Sequence, residues 1–191
     1  MSTRIETQIA VHLQAVEALN DSTGLLEQAA ALVVQTFKAG RRVYVLGNGG
    51  SAADAQHIAA ELVGRFKAAD RPALPAVALT TDTSALTAIS NDYGFEEVFA
   101  RQVEALVREG DVVWALSVSG TSSNVIKAVK AAKRQAAKVI GFTGTEGAEL
   151  QALCDLCLMA EHTDSDRVQE VHQLAYHIVC GLVEDEFTKR T

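Results

Sequence analysis

The spacing of hydrophobic residues along the chain changes once, near residue 40. Before that point, apolar residues recur at intervals of three and four, which predicts two helices at 5–19 and 24–39. Gly40 follows the second helix, at a position where glycine commonly ends a helix. We therefore predict a helical pair over 1–40, followed by a differently organised core over 41–191.

The core alternates between short apolar runs and helical stretches. The runs predict five strands, at Arg42–Leu46, Ala76–Leu79, Asp111–Ser117, Lys138–Thr143 and Asp155–Met159. The helical stretches lie near 51–67, 84–107, 122–136, 147–153 and 166–187. Strands that alternate with helices and are apolar almost throughout are typical of a parallel sheet covered on both faces. With 191 residues, a single α/β domain over 1–191 is expected.

Two turns rich in glycine and serine follow the first and third predicted strands. They read Gly47-Asn48-Gly49-Gly50-Ser51 and Ser117-Val118-Ser119-Gly120-Thr121-Ser122-Ser123. Each turn leads into a helix, so its backbone N–H groups meet the positive end of a helix dipole with little side chain in the way. In such sheets, ligands bind at the carboxyl ends of strands where the winding reverses. The two turns therefore predict a site for a phosphorylated small molecule.

Charge and composition limit the classes of molecule that the protein is expected to bind. The net charge of −7 argues against a nucleic-acid surface, so phosphate must be bound by local dipoles and hydroxyl groups. The sequence contains neither an apolar run long enough for a membrane span nor the pattern of a secretion signal, which predicts a cytoplasmic protein without a membrane partner. Cys154, Cys157 and Cys180 are expected to be buried free thiols; the CxxC spacing of the first two leaves a redox or metal role open.

The first turn has two other interpretations. Residues 47–52 also match the dinucleotide-binding pattern G-x-G-x-x-A, which needs an acidic residue at the end of the next strand. Asp82 follows that strand too far along the chain, so a nicotinamide cofactor is disfavoured. Ser51 and Asp54 fit a capping box, which explains both residues without a function but is compatible with a phosphate site.

Polar side chains recur at four-residue spacing on two predicted helices. They are His57, Glu61 and Arg65 after the first turn, and Gln169, Gln173 and His177 on the last helix. Taken alone, His57 and Glu61 also fit a surface pair, and His177 also fits a core histidine. Gln169 also fits a capping box with Asp166. A carboxylate and an imidazole close to a double phosphate site can, however, move protons on a sugar phosphate.

Five segments in order resemble the sedoheptulose-7-phosphate (phosphoheptose) isomerase family of sugar isomerase (SIS) domain proteins. They are 47–57, 61–66, 90–92, 117–124 and 166–172, and the resemblance extends to residue 187. It implies a flavodoxin-like, doubly wound sheet and a homotetramer with active sites at subunit interfaces. It also implies conversion of D-sedoheptulose 7-phosphate to D-glycero-D-manno-heptose 7-phosphate, for the heptose of lipopolysaccharide or related glycans.

The resemblance also implies a role for each matching residue. The phosphate would be held by Ser51, Ser117, Ser119 and Ser122, with Val118 in the same loop, where the family usually has threonine. The sugar would be lined by Asn48, Gly49, Gly50, Glu61, Arg65, Asn91, Asp92, Asp166 and Gln169. Glu61 and His177 would form the proton-transfer pair.

Two further expectations follow from the same resemblance. Some members bind zinc, which here implies one ion per subunit at His57, Glu61, Gln169 and His177 and no nucleotide cofactor. Other SIS proteins are non-catalytic and bind a replication initiator, and we expect those to lack the equivalents of Glu61 and His177. Both residues are present in this chain, which favours the enzyme.

Overall fold

The computed structural model describes residues 2–188, so the predicted domain limits at 1 and 191 lie outside the described range. The helices are α1 Ser2–Glu17, α2 Thr23–Lys38, α3 Gly50–Val63, α4 Thr83–Tyr93, α5 Ala100–Leu106, α6 Ser123–Arg134, α7 Ala148–Gln151 and α8 Ser165–Thr188. The strands are β1 Val43–Gly47, β2 Ala76–Ala78, β3 Val112–Leu116, β4 Lys138–Gly144 and β5 Leu156–Ala160. Short 3-10 helices lie at Ala18–Ser22 and Phe95–Glu97.

All five strands join one sheet in the order β2-β1-β3-β4-β5, and every neighbouring pair is parallel. The second strand adds to one side of β1 and the third strand to the other. The winding therefore reverses between β1 and β3, which are the two strands that lead into the glycine-serine turns. The predicted doubly wound, flavodoxin-like parallel sheet is confirmed, and each predicted strand end lies within one residue of the observed one.

Alternate residues of the strands feed two separate hydrophobic cores. Val43 and Val45 face the core that includes α2, α3 and α8, whereas Tyr44 and Leu46 face the core that includes α5 and α6. Both faces of β1 are buried along its whole length, which explains why the sequence shows a continuous apolar run rather than an alternating one. Within residues 2–188, no helix is both long and apolar enough to cross a membrane.

Two predicted helices break or end well before the expected residue, and the one expected over 147–153 is reduced to the single turn of α7. The helix expected over 84–107 is broken at Gly94 and is followed by a 3-10 turn and then by α5. Gly94 has a φ of 95°, which glycine adopts readily and other residues do not. The helix expected over 51–67 ends at Val63, because the backbone N–H groups of residues 66–68 donate to the Glu184 carboxylate instead of to helical carbonyls. Gly40 ends α2 as predicted, with a φ of 71°.

Candidate functional site

The two glycine-serine turns meet at the carboxyl ends of β1 and β3 and form a cleft of about 330 Å³, called here the turn cleft. Its lining residues are Asn48, Gly49, Gly50, Ser51, Leu116, Ser117, Val118, Ser119, Ser122, Ser165 and Gln169. Nine of these residues were expected from the sequence to contact phosphate or sugar. The fold thus brings both turns and Gln169 of α8 to one place, and adds Leu116 and Ser165.

Backbone geometry shapes the first turn. Gly49 has a φ of 55°, which turns the chain sharply into α3, and the structure of residues 2–188 shows no side-chain cap on that helix. The start of α3 therefore presents amide groups that an anion can bind. A Cβ on Gly50 would lie 2.5 Å from Oε1 of Gln169, so glycine lets the α8 side chain approach the turn closely.

Both predicted capping boxes are wrong. Ser51 lies inside α3 rather than before it, and Asp54 accepts a hydrogen bond from the Tyr176 hydroxyl at 3.3 Å. Asp166 likewise lies inside α8, where its Oδ1 accepts from the backbone N–H of Arg167 at 2.9 Å. The capping-box prediction failed at both sites because each helix begins before the serine or aspartate that was expected to cap it.

Serine hydroxyls and a glycine hold the second turn. Ser117 Oγ donates to Ser122 Oγ at 3.2 Å and accepts from the N–H of Gly120, whose φ is 65°. The carbonyl of Val118 accepts the Gly144 N–H at 2.9 Å, which ties the turn to the end of β4. The serine hydroxyl groups of this turn thus stabilise it as well as lining the cleft.

An amide pair joins the two turns. Each of Asn48 and Asn124 donates Nδ2–H to the other's Oδ1 at 2.8 Å, and Asn124 is only 2% exposed. Asn124 Oδ1 also accepts from the N–H of Val125, so this oxygen holds two hydrogen bonds. Sequence reasoning missed this link; its one signal is an asparagine directly after the serine run of the second turn.

Three polar side chains of α3 and α8 converge and are called here the histidine cluster. His57 Nε2 lies 3.0 Å from Glu61 Oε1 and 3.4 Å from His177 Nε2. One ligand atom from each of the three residues lies within 4.8 Å of the others, a spacing that suits a single metal ion. Burial and the neighbouring His57 lower the pKa of His177, which favours the neutral imidazole as a ligand or proton acceptor.

Tyr176 and Asp54 stand behind the histidine cluster. The Tyr176 hydroxyl lies 2.9 Å from His57 Nδ1 and donates to Asp54 Oδ1. Burial raises the pKa of Asp54, against which the Tyr176 hydrogen bond acts. Burial, followed by the nearby Asp54 charge, also raises the pKa of Tyr176, so its hydroxyl stays protonated. Neither residue was predicted to belong to the site.

A buried carboxylate holds the loop that follows α3. Glu184 accepts three backbone N–H groups, at 2.9, 2.7 and 2.8 Å, and the Nε–H of Arg71 at 3.1 Å. Burial alone would raise the pKa of Glu184, but these donors outweigh it and lower the pKa to about 2. The loop places the Phe66 ring in a stacked contact with His177, with centroids 5.7 Å apart.

Five predicted sugar-lining residues do not line the turn cleft in the described part of the chain. Glu61 is one of them and belongs to the histidine cluster, and the other four are exposed: Arg65, Asn91, Asp92 and Asp166. Their polar groups bond to near neighbours, as in the 2.8 Å contact from Asn91 to Asp92. The turn cleft thus contains four of the nine residues expected to line the sugar.

The cysteines only partly match the expectation. All three are free thiols, and Cys180 is buried as predicted, but Cys154 and Cys157 are half-buried. Their sulfur atoms both lie over Gly141 of the neighbouring strand, where a Cβ would meet them at 2.5 and 3.1 Å. Cys157 lies on β5, the strand at the edge of the sheet, and Cys154 lies just before that strand.

Comparisons with known proteins agree with this fold. Residues 7–144 match the SIS domain family, which defines the class of protein. A phosphoheptose isomerase of Helicobacter hepaticus is 48% identical over 186 residues, with 97% of this chain and 94% of the relative covered. A phosphoheptose isomerase of Rhodospirillum rubrum is 50% identical over 167 residues, covering 87% of this chain and 88% of the relative.

Solved structures give the same result. The phosphoheptose isomerase from Neisseria gonorrhoeae superposes with a TM-score of 0.90 at 43% identity, covering 96% of this chain and 98% of that one. The one from Francisella tularensis gives a TM-score of 0.92 at 35% identity, covering 96% and 97%. The chain belongs to the phosphoheptose isomerase family.

Proposed function

We propose that this chain is an aldose–ketose isomerase that converts D-sedoheptulose 7-phosphate to D-glycero-D-manno-heptose 7-phosphate, for heptose or related glycan synthesis. The observation that carries the proposal is the histidine cluster, with a carboxylate and an imidazole next to a cleft suited to phosphate. Its presence also disfavours the initiator-binding alternative, which needs no such cluster.

The turn cleft binds the phosphate group in this proposal. The starts of α3 and α6 both open onto it, and each supplies backbone amides and a positive dipole end. Hydroxyl groups of Ser51, Ser117, Ser119 and Ser122 add further donors. Since the net charge is −7, this local arrangement rather than a basic surface must attract the anion.

Proton transfer through an enediol follows at the histidine cluster. Glu61 takes the proton from C1 of the ketose and returns a proton to C2, which forms the aldose. His177 exchanges protons with the two oxygen atoms of the enediol. Such a general acid–base pair contributes about 10²–10⁴-fold to the rate. Asn48, Gly49, Gly50 and Gln169 orient the sugar from the cleft side, and Arg65, Asn91, Asp92 and Asp166 complete the site.

Zinc, one ion per subunit, is proposed as the metal of this site. His57, Glu61 and His177 provide nitrogen and oxygen donors of the kinds that Zn²⁺ binds, and their spacing fits one ion. Gln169 is the proposed fourth ligand. Its amide lies against Gly50 and must turn toward His177, which is about 12 Å further along the axis of α8. A bound zinc ion would polarise the oxygen atoms of the sugar.

We also propose that the chain forms a homotetramer. Ile5, Ile9 and Leu13 of α1 are exposed, and a groove of about 620 Å³ lined in part by Leu174 and Ile178 runs along α8. Exposed apolar surface of this kind commonly marks a subunit interface. An interface here would allow a second subunit to supply the site residues that lie outside the turn cleft. Light scattering at several protein concentrations tests the tetramer.

A cytoplasmic location and a single SIS domain over 1–191 complete the proposal. Three free thiols are typical of a reducing compartment. Within residues 2–188, α1 and α2 pack on α8 and on the edge of the sheet rather than forming a separate unit.

Purified protein incubated with sedoheptulose 7-phosphate tests the function directly. The proposal expects the aldose 7-phosphate to accumulate, followed by NMR, with no redox cofactor added. Absence of turnover, together with capture of a replication initiator, would replace the isomerase with the binding protein.

A further inference from the structure

We propose that Tyr176 and Asp54 are positioning residues that hold His57 with its proton on Nδ1, so that the His57 Nε2 lone pair is available to a divalent cation shared with Glu61 and His177. The inference deepens the proposed metal site and rests on it. It names two residues behind the cluster that set how tightly the cluster binds a metal.

Hydrogen-bond directions along this chain of contacts assign the proton. An ionised Asp54 carboxylate can only accept, so the single Tyr176 hydroxyl proton points to Asp54 Oδ1 at 3.3 Å. The hydroxyl oxygen must then accept at its 2.9 Å contact with His57 Nδ1. His57 therefore carries its proton on Nδ1, because the opposite arrangement would set the hydroxyl oxygen against the carboxylate.

This tautomer leaves the 3.0 Å contact between His57 Nε2 and Glu61 Oε1 without a proton. A nitrogen lone pair then faces a carboxylate oxygen, and His177 Nε2 lies 3.4 Å away on the other side. A cation between the three atoms turns this repulsion into coordination. Metal-ligating histidines commonly donate their second N–H to such an outer partner, which fixes the ring and its tautomer.

Packing shows that Tyr176 and Asp54 are fixed in this arrangement. Tyr176 is 0% exposed, and its ring meets His57 and His177 edge-on, with centroids 5.5 and 4.7 Å apart. Asp54 Oδ2 is buried and has no hydrogen-bond partner in the described part of the chain. The other oxygen of the carboxylate, Oδ1, accepts from the Tyr176 hydroxyl. Asp54 and His57 share α3, whereas Tyr176 is next to His177 on α8, which joins both helices at the cluster.

Tyr176→Phe removes the hydroxyl and keeps the ring. Tyr44→Phe is the matched control, since the Tyr44 hydroxyl is also part-buried and donates to a backbone carbonyl, that of Leu106 at 3.2 Å, in the other core. Zinc affinity is measured by competition with a chelator of known affinity, on protein first stripped of metal. Tyr176→Phe is expected to weaken zinc binding by about 10–100-fold, and Tyr44→Phe to leave it unchanged.

A second readout, ¹⁵N NMR of the His57 ring in metal-free protein, reports the tautomer independently of zinc. Wild type is expected to show a protonated Nδ1, and Tyr176→Phe a mixture of both tautomers. The proposal is overturned if Tyr176→Phe binds zinc as tightly as Tyr44→Phe, if wild type binds no zinc, or if wild-type His57 carries its proton on Nε2. Turnover of sedoheptulose 7-phosphate by wild type is assayed separately, so that loss of the positioning role leaves the isomerase standing.

Discussion

The turn cleft and the histidine cluster both take residues from α3 and α8 but are built differently. The cleft is formed mainly by two short stretches, 48–51 and 116–122, which supply backbone amides and several hydroxyl groups at two strand ends. The cluster joins side chains up to 120 residues apart, and each has a specific role in the proposed reaction. The cleft is therefore redundant and the cluster is not, so effects of substitution should fall from the cluster to the cleft.

His177→Asn, in the cluster, should have the largest effect. The shorter amide cannot exchange protons with the enediol, so kcat should fall by about 10²–10⁴-fold. Steady-state kinetics with sedoheptulose 7-phosphate provides the measurement. His12→Asn is the matched control. His12 of α1 pairs with Glu170 at a distance of 2.7 Å, and neither residue lines the turn cleft. A folded His177→Asn protein with wild-type kcat would remove His177 from the proton-transfer role.

Glu184→Gln tests the support of the cluster at a distance. Removing a carboxylate that is buried with Arg71 and three backbone donors should cost about 3–5 kcal/mol of unfolding free energy. That loss corresponds to a melting temperature lower by roughly 2–4 °C per kcal/mol for a protein of this size. The Phe66 contact with His177 should loosen as well, and kcat should fall less than in His177→Asn.

The pH dependence of Glu184→Gln has a defined sign. Folding lowers the pKa of Glu184 from 4.5 to about 2, so the ionised carboxylate stabilises the folded state above pH 4.5 and loses that effect as the pH falls toward 2. Urea unfolding should show a wild-type advantage at pH 7 that shrinks over this window. Glu186→Gln, at a partly exposed 3.6 Å pair with Lys38, should change stability by about 0–1 kcal/mol. Equal losses in both variants would contradict the assignment.

Ser119→Ala should have a smaller effect, in the turn cleft. A hydrogen bond to a charged phosphate contributes about 1.5–3 kcal/mol, and the remaining donors offset part of it, so KM should rise by roughly tenfold with kcat little changed. Ser123→Ala is the control, since Ser123 is exposed in the same segment but does not line the cleft. A loss in kcat rather than KM would place Ser119 at the reacting carbons instead of the phosphate.

Val118→Thr should have the smallest effect. The Val118 side chain lines the cleft and packs against the core, and a neutral hydrogen bond adds about 1 kcal/mol, so kcat/KM should rise a few-fold at most. If wild type is inactive and threonine restores turnover, Val118 marks a chain that has lost catalysis. If threonine lowers kcat/KM, the valine methyl groups pack in a pocket that differs from the family's.

Most of the fold could be predicted because its determinants are local. Continuous apolar runs such as that of β3 identify buried parallel strands, and the glycine-serine turns identify the strand ends at which ligands bind. The break at Gly94 was missed because residues 84–107 keep a helical pattern on both sides of it. A single glycine in a helical pattern is ambiguous until its backbone angles are known.

The second layer of the site could not be predicted, because each contact joins distant parts of the chain. Asn124 is hydrogen-bonded to Asn48, which lies 76 residues earlier in the chain. Glu184 accepts from backbone N–H groups that lie 116 to 118 residues earlier. Tyr176 looks like one more core residue of α8, although its hydroxyl bonds to His57 and Asp54 on α3. Periodicity shows that such side chains face inward but not which polar atom they meet.

Isomerisation in ²H₂O by wild type and Glu61→Gln tests the central claim most directly. If Glu61 takes a proton from C1, exchanges it with solvent and returns a proton to C2, wild type should form the aldose 7-phosphate with deuterium at C2, followed by NMR. Glu61→Gln should lose both turnover and deuterium incorporation by about 10²–10⁴-fold, while inorganic phosphate still raises its melting temperature as in wild type. A folded Glu61→Gln protein that keeps more than about a tenth of wild-type turnover would contradict the account.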